Sequence, residues 1–224
     1  DDAFAGGSSP DDMYQWQIIE SNSMNGDGEA TSALWNRCYS GIYRANKYLQ
    51  KEEGVNWENE ATRNRMKAEV KFLRAYFYWD LARHWGRVPL ILEVYSDVDK
   101  YKNAEQATTT EVYKQVVSDL LAALPDLPES VPATEKGRIT KYAAKTLLAR
   151  VYMLYSDFVQ DVMGVTEELS VDGTVIDEQY AADALEDVIT SGNYRLLDNY
   201  RDVFRWDNEN NDEVVFAWQY SDLW

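Results

Sequence analysis

Nucleophilic catalysis is poorly supported by the sequence of this 224-residue chain. His84 is the single histidine and Cys38 the single cysteine, and the two do not have the spacing of zinc ligands. His84 falls in the last turn of a predicted helix, where an imidazole interacts favourably with the helix C-terminus. Cys38 falls on an apolar helical stripe, which is typical of a small buried side chain. There is no Gly-x-Ser-x-Gly motif either, so we expect no catalytic triad and no zinc centre.

Carboxylates are abundant: 39 Asp and Glu against 22 Lys and Arg give a formal net charge of −17. This excess argues against binding nucleic acid or an anionic membrane, because both require clustered basic residues. A glycosidase uses two carboxyl groups, one of them with a raised pKa. The residue count does not single out such a pair, so glycoside hydrolysis stays open as an alternative.

The acidic segment 207–213 (DNENNDE) alternates carboxylates with amides, as calcium ligands do. It lacks the glycine and the final glutamate of an EF-hand loop at the required positions. We therefore interpret it as a solvated loop, with a structural calcium ion as the alternative, and expect no other cofactor.

Aromatic residues are numerous, with eight tryptophans and sixteen tyrosines. Their flat rings can stack on the C–H faces of sugars. Most of them lie on helical stripes, where packing in the core is the better interpretation. The candidates for ligand contact lie outside the predicted helices and strands: Tyr14, Trp16, Trp57, Tyr95, Tyr101 and Trp206.

A long central helix must position these residues. No Gly or Pro occurs from residue 60 to residue 85, and apolar residues recur every three or four positions. One stripe is Met66, Val70, Leu73, Phe77, Leu81 and Trp85, and a second is Phe72, Ala75, Tyr76, Trp79 and Ala82. The two stripes predict a helix that is covered on two sides. Gly86 suits a left-handed residue after the last turn, and Pro89 prevents the helix from resuming.

Further helices are predicted on both sides of the central one. The first is 31–50, capped by Thr31 or Ser32, with Asn46 near its buried face and bonded to a neighbouring loop. The others are 108–124 with a Thr108–Glu111 capping box, 140–155 capped by Thr140, 179–191 closed by Gly192, and a short helix at 198–206. A hairpin is predicted around Asp172-Gly173, a strand at 213–220, and a loop at 93–107.

The predicted helices form successive pairs: 31–50 with 60–85, 108–124 with 140–155, and 179–191 with the segment C-terminal to it. The fold class is therefore mostly α, with tetratricopeptide-like helical hairpins, irregular loops and a few short strands. The length predicts a single domain, with a helical scaffold over about 31–206. We find no run of 18 apolar residues and no signal peptide at the start of the chain.

One set of residues resembles a known family. The run Glu69, Phe72-Leu73-Arg74-Ala75-Tyr76, Leu81 and Trp85–Leu90 is similar to the signature helix of SusD/RagB proteins. Other positions agree with the same pattern in order: Trp35, Tyr39, Gly41–Asn46, Glu111–Tyr113, Asp119-Leu120, Gly137-Arg138, Thr140-Lys141, Ala143-Ala144, Leu147–Tyr152, Ser191-Gly192, Tyr194 and Leu196. The succession runs over most of the chain.

The resemblance implies a cell-surface lipoprotein of Bacteroidetes that captures glycans or other nutrients and delivers them to a SusC-like TonB-dependent transporter in the outer membrane. It implies no catalysis, an extracellular location, and membrane attachment only through a lipid anchor outside this sequence. Members are about twice this length, so the SusD-like domain formed by residues 1–224 is expected to be incomplete at both ends.

In the family, ligand sites are aromatic residues in loops beside Asn and Arg side chains. By type and loop context, the resemblance points to residues 1–30 and the interhelical loops: Trp16 with Asn22 and Asn25, and also Tyr14 and Trp57. The alternatives are a helical-repeat scaffold that binds protein without binding saccharide, and a glycoside hydrolase.

Overall fold

The computed structural model describes residues 28–219, together with residues 17, 18, 21 and 23. From residue 28 onward the helices are α1 (Glu29–Lys51), α2 (Glu60–Trp85), α3 (Val98–Lys102), α4 (Thr109–Ala123), α5 (Lys141–Leu154) and α6 (Glu178–Thr190). The two short strands β1 (Ser170–Val171) and β2 (Thr174–Val175) form an antiparallel hairpin. The fold is therefore mostly α, as predicted. Among the described residues, no helix is both long enough and apolar enough to cross a bilayer.

Helix α2 spans the predicted 26 residues, and both of its ends have a local cause. At the start, the Asn59 side chain accepts a hydrogen bond from the Thr62 backbone N–H at 3.2 Å. At the end, Gly86 has a φ of 66°, which only glycine adopts without strain, and its N–H donates to the Ala82 carbonyl at 2.8 Å. The chain then leaves in an extended segment that pairs with Gln106 at Pro89.

The core lies on two sides of α2, where α1 and α4 pack against it. The predicted hairpin of α1 and α2 is confirmed. The second predicted pair differs, because α4 packs mainly against α2, whereas α5 packs mainly against α6. The apolar face of α4 that was expected to meet α5 is used chiefly to cover the central helix.

A buried polar network joins three helices to the segment after α2. The Arg74 guanidinium binds both carboxylate oxygens of Asp119, at 2.7 and 2.6 Å, and donates to the Asn46 side-chain oxygen at 2.9 Å. The Asn46 amide then donates to the Ile91 carbonyl at 2.7 Å, which confirms its predicted loop contact. The Tyr78 hydroxyl also bonds both the N–H and the carbonyl of Ile91. These bonds fix the exit segment against α1, α2 and α4.

Capping predictions hold at α4 and α5 and fail at α1. Thr108 and Glu111 form the reciprocal capping box, and Thr140 caps α5 through the Ala143 N–H. Helix α1 begins at Glu29, ahead of the predicted caps, so Thr31 is already inside the helix and donates to the Gly28 carbonyl at 2.7 Å. The prediction of Thr31 or Ser32 as the cap was wrong.

Three other segments differ from prediction. Residues 213–219 form no strand, although Val214, Phe216 and Trp218 alternate as a strand would; Phe216 and Trp218 instead pack their rings against α2. The 93–107 segment contains the short helix α3, capped by the Asp97 side chain. The predicted helix at 198–206 is two 3-10 turns, Tyr200–Phe204 and Trp206–Asn208.

Candidate functional site

Four of the predicted ligand residues, Tyr14, Trp16, Asn22 and Asn25, lie outside the described residues, and their role stays a prediction. The fifth, Trp57, is half-buried in the turn before α2. Its indole N–H donates to the Glu52 carbonyl at 2.8 Å, so its one polar atom is used inside the turn. Because Trp57 is the one member of this set that the structure describes, the grouping of the five residues stays a prediction.

The most exposed aromatic rings of the described chain lie near residue 200. Trp206 is 87% exposed, and Tyr200 and Phe204 are also largely exposed. The Tyr200 and Phe204 rings meet edge to face, with centroids 5.1 Å apart. Exposed rings grouped in one short segment form an apolar surface patch, and such patches often mark sites that bind a ligand or partner. Of these three, only Trp206 was singled out from the sequence.

The loop that carries these rings is held by polar side chains within it and by Arg195 and Gln219 beside it. Asn208 donates to the Asp202 carbonyl at 2.9 Å, and Asn211 donates to the Val203 carbonyl at 3.2 Å. Arg205 bonds both oxygens of Asp207, at 2.8 and 2.6 Å, and lowers the pKa of that carboxyl. These bonds help to position the 3-10 turn Trp206–Asn208, which carries the exposed indole. We call residues 199–212 the C-terminal loop.

A groove of about 450 Å³ runs between this loop and the segment 214–219. Its lining includes three rings and a pair of carboxamides: Phe204, Trp206, Trp218, Asn210 and Gln219. Asn210 and Gln219 bond each other reciprocally, with both N···O distances 2.9 Å. Such a pair can open, and each amide then offers a donor and an acceptor to a ligand.

Trp218 is the fixed wall of this groove. Its ring stacks against Phe77 of α2 at a centroid distance of 6.0 Å and meets Tyr76 at 5.2 Å. The sequence pattern places Trp218 in a strand and does not single out Phe204. Phe204 and Trp218 come together through tertiary packing, which a local sequence pattern does not show. The signal that could have found them is the density of aromatic residues among Asp, Asn and Arg residues in this part of the sequence.

A second, polar pocket of about 570 Å³ adjoins the C-terminal loop. It includes Asp207 and Asp212 of the acidic segment, but these bind Arg205 and Arg195 respectively. Within the part of the chain that the structure describes, no three carboxylate, thiol or imidazole groups converge as metal ligands. The suggestion of a structural calcium ion at 207–213 stays a prediction.

The thiol of Cys38 and the imidazole of His84 both make contacts within the helical core or with the backbone. Cys38 is buried, and burial, followed by the nearby Asp80 carboxylate, raises the pKa of its thiol to about 12. His84 bonds the Asp80 carbonyl through Nδ1 at 2.7 Å. Among the described carboxyl groups, those with a shifted pKa are Glu52, Glu111 and Asp207, and in all three the pKa is lowered. A glycosidase acid requires the opposite shift.

The described chain thus consists of stacked helical hairpins, with loop aromatics and amides beside an open groove. Comparison with known proteins then gives its family. Residues 3–153 match the SusD-like family model described as "starch-binding associating with outer membrane". The chain therefore belongs to the SusD-like family.

Individual relatives agree with this assignment. The chain is 31% identical over 200 residues to a SusD-like protein of Bacteroides ovatus, covering 87% of this chain and 34% of that protein. It is 27% identical over 209 residues to the starch-binding protein SusD of Bacteroides thetaiotaomicron, covering 91% and 34%. A solved laminarin-binding SusD-like protein superposes with a TM-score of 0.80 at 29% identity, covering 94% of this chain and 42% of the other. The chain thus spans about a third of the length of these two curated relatives.

Proposed function

We propose that this protein is a non-enzymatic glycan-binding protein of the cell surface, and that the groove between the C-terminal loop and residues 214–219 holds the glycan. The observation that carries the proposal is the exposed Trp206 ring, which lines the groove together with Trp218 and the Asn210–Gln219 amide pair. Membership of a family described as starch-binding supports it.

The groove offers both interactions that a sugar requires. The Trp206 and Trp218 rings present flat apolar faces to the C–H groups of a pyranose, while amide groups bond its hydroxyls. Opening the Asn210–Gln219 pair exchanges one set of neutral hydrogen bonds for another, so it costs little. Arg205 and Glu209 at the rim add charged partners for further hydroxyls.

The names of two relatives support a neutral glucan as the ligand class, since one binds starch and another binds laminarin. An uncharged ligand also fits the net charge of −17, which would repel a polyanion.

We infer further that the protein is anchored by lipid on the outer face of the outer membrane and passes its glycan to a SusC-like TonB-dependent transporter. The family description, which places its members with the outer membrane, supports the location. Purification in mild detergent from the native membrane tests the partnership. Recovery without any β-barrel transporter under conditions that preserve membrane complexes would contradict it.

The variant Trp206→Ala tests the binding site. Removing a ring that stacks on the ligand should weaken affinity for laminari- or malto-oligosaccharides about tenfold, as truncation of a tryptophan hot spot does. Calorimetry on the full-length protein measures the change. The matched control is Tyr200→Ala, since Tyr200 is also largely exposed on the C-terminal loop but does not line the groove.

The outcomes separate the remaining alternatives. If Trp206→Ala binds normally while Trp16→Ala does not, the site lies ahead of α1, as the sequence predicted. If no saccharide binds the intact protein, a protein-binding scaffold is favoured. Sustained release of shorter sugars, abolished by replacing one Asp or Glu, would identify a glycoside hydrolase.

A further inference from the structure

The segment that leads into α5 lies beside the groove without lining it. We call residues 133–138 the entry turn; it starts with the 3-10 turn Ala133–Glu135, and Thr140 then caps α5. Gly137 and Arg138 of the entry turn are among the motif positions singled out in the sequence, yet the glycan site proposed above includes neither. Their contacts with the amide pair of the groove give them a second possible role besides folding.

The entry turn touches both members of that amide pair. Lys136 donates through Nζ to the Asn210 carbonyl at 3.4 Å. Gly137 lies against the side chain of Gln219 so closely that a Cβ atom on Gly137 would be 2.3 Å from Cγ and 2.7 Å from Cδ. Side-chain carbons do not approach each other to such distances, so Gln219 can occupy this position only because residue 137 has no side chain.

This contact restricts a glutamine that would otherwise be free to move. Gln219 is exposed, and an exposed glutamine normally samples many rotamers. Here its amide exchanges two hydrogen bonds of 2.9 Å with Asn210 and donates to the Ala217 carbonyl at 3.0 Å, while Gly137 packs against its stem. A side chain already held in place loses less freedom when it binds a ligand, which favours affinity.

The entry turn is itself attached to the central helix. The Arg138 guanidinium binds both carboxylate oxygens of Glu69 in α2, at 3.1 and 2.6 Å. Arg65 of α2 binds Glu135 of the turn at 2.7 Å and also bonds Glu69 at 3.1 Å. Two-point contacts between arginine and carboxylate fix orientation as well as distance. The surface that Gly137 presents to Gln219 is therefore set by the scaffold.

We propose that Gly137 is a positioning residue for glycan binding: it allows the entry turn to hold Gln219 in the rotamer that places its amide at the groove. Gly137 acts through Gln219 and does not touch the ligand. This inference rests on the proposed function, and it adds a residue outside the groove that determines the affinity of the groove.

The variant Gly137→Ala in the full-length protein tests the proposal. The added methyl group displaces Gln219, so affinity for laminari- or malto-oligosaccharides should fall about fivefold, as for the loss of one neutral hydrogen bond. The matched control is Gly173→Ala, because Gly173 also has a positive φ but a Cβ there meets nothing within 4 Å. Its affinity should equal that of the parent. Calorimetry measures binding, and thermal unfolding shows that both variants fold.

A double variant separates positioning from a general structural effect. Gln219→Ala removes the atoms that the new methyl group would strike, so adding Gly137→Ala to it should cause no further loss of affinity. Residues that act through one contact are non-additive in this way, whereas independent effects add. A further loss in the double variant would overturn the proposal, and so would full affinity in Gln219→Ala.

A crystal structure of ligand-free Gly137→Ala gives a readout that does not depend on glycan. The Asn210–Gln219 pair should be broken, and a pair kept at 2.9 Å would overturn the proposal. Full affinity in Gly137→Ala, or equal losses in Gly137→Ala and Gly173→Ala, would do the same. A parent that binds no saccharide would contradict the proposed function and this inference with it. A parent that binds while Gly137→Ala is unaffected would contradict this inference alone.

Discussion

Three buried carboxylates in the described chain, Glu52, Asp80 and Asp119, are each held by basic side chains. A buried charge is tolerated only when paired, and removal of its partner leaves an uncompensated charge in the core. The arrangement around Asp119 is the most enclosed, because Arg74 is 8% and Asp119 3% exposed. Asn46, Arg74 and Asp119 all belong to the motifs that resemble the SusD/RagB pattern. Their buried hydrogen-bond network explains why these polar residue types stand at those positions.

Arg74→Met should lower the free energy of unfolding by about 3–5 kcal/mol, because Asp119 is left buried and unpaired. For a chain of this size that corresponds to a melting temperature lower by roughly 6–20 °C. The double variant Arg74→Met/Asp119→Leu should lose less than Arg74→Met alone, since it removes both charges. Thermal and urea unfolding measure both variants. The control is Arg44→Gln, at an exposed arginine of α1 without an ionic partner among the described residues, and it should stay within about 0.5 kcal/mol of the parent. A double variant less stable than the single one would contradict this account.

Glu52 predicts a pH dependence. Hydrogen bonds from Arg63 at 2.6 Å and Lys67 at 2.7 Å lower the pKa of its carboxyl from the ordinary value of 4.5. A group whose pKa is lowered on folding stabilises the protein above the unfolded pKa, and this contribution is lost as the pH falls through the folded pKa. The parent should therefore exceed Glu52→Gln in stability at pH 7, and the difference should shrink below about pH 4.5.

Urea unfolding of both proteins at a series of pH values measures this difference. Glu53→Gln is the matched control, because Glu53 lies next in the chain and is exposed. A gap between the parent and Glu52→Gln that stays constant down to about pH 2 would show that the charge of Glu52 is not its source.

At the scale of elements, α1 and α2 approach each other closely at Gly41. A Cβ atom at this position would lie 2.2 Å from Cε2 of Phe77, which is far inside contact distance. Phe77 is in turn confined by Tyr76 and Trp218. The glycine therefore sets how near the two helices of the first hairpin can come.

Gly41→Ala should destabilise the protein by about 1–3 kcal/mol through overpacking, although alanine favours a helix by about 1 kcal/mol over glycine. Gly54→Ala is the control, since a Cβ there meets nothing within 4 Å. Unfolding in urea gives both values. The double variant Gly41→Ala/Phe77→Leu should recover part of the loss, and no recovery would place the strain elsewhere.

The sequence predicted those elements whose signals are local. The bounds of α2 follow from an unbroken apolar pattern ended by Gly86, and the hairpin follows from Asp172 and Gly173, which both have positive φ. The strand at 213–220 was wrong because alternation requires a neighbouring strand, and here Phe216 packs on Phe72 of α2 instead. The burial of Arg74 and Asp80 was missed because periodicity follows apolar residues only.

The candidate site was less predictable, for a related reason. Trp206 was recognised because it stands in a polar segment outside the helical stripes. Phe204 and Trp218 were not, since whether a ring faces solvent or the core is decided by packing between distant segments. The predicted ligand contacts of Trp16, Asn22 and Asn25 stay predictions, and the binding measurement with Trp16→Ala tests the first of them.

At the scale of the whole molecule, stability is not distributed evenly. Helices α1 and α4 cover α2 on two sides, whereas α6 packs mainly on α5 and buries only the small residues Ala181, Ala184 and Val188. Regions with few buried apolar contacts open at lower free energy than the core.

Amide hydrogen exchange should therefore be faster in α6 than in α2 and α4 once each peptide is corrected for its intrinsic rate. Mass spectrometry of peptic peptides measures it. Helix α4 is the internal control, because its 15 residues are close to the 13 of α6, so length does not explain the difference. Equal protection of α6 and α4 would show that the described helices open as one cooperative unit.

The C-terminal loop takes its shape from polar contacts among its own side chains and with Arg195 and Gln219 beside it, whereas its exposed rings make none of these bonds. The chemistry displayed to a ligand is thus decoupled from the framework that displays it. An engineer could recode Tyr200, Phe204 and Trp206 while keeping these polar contacts, and leave the helical bundle intact. A scaffold with that property is a ready starting point for receptors of altered sugar preference.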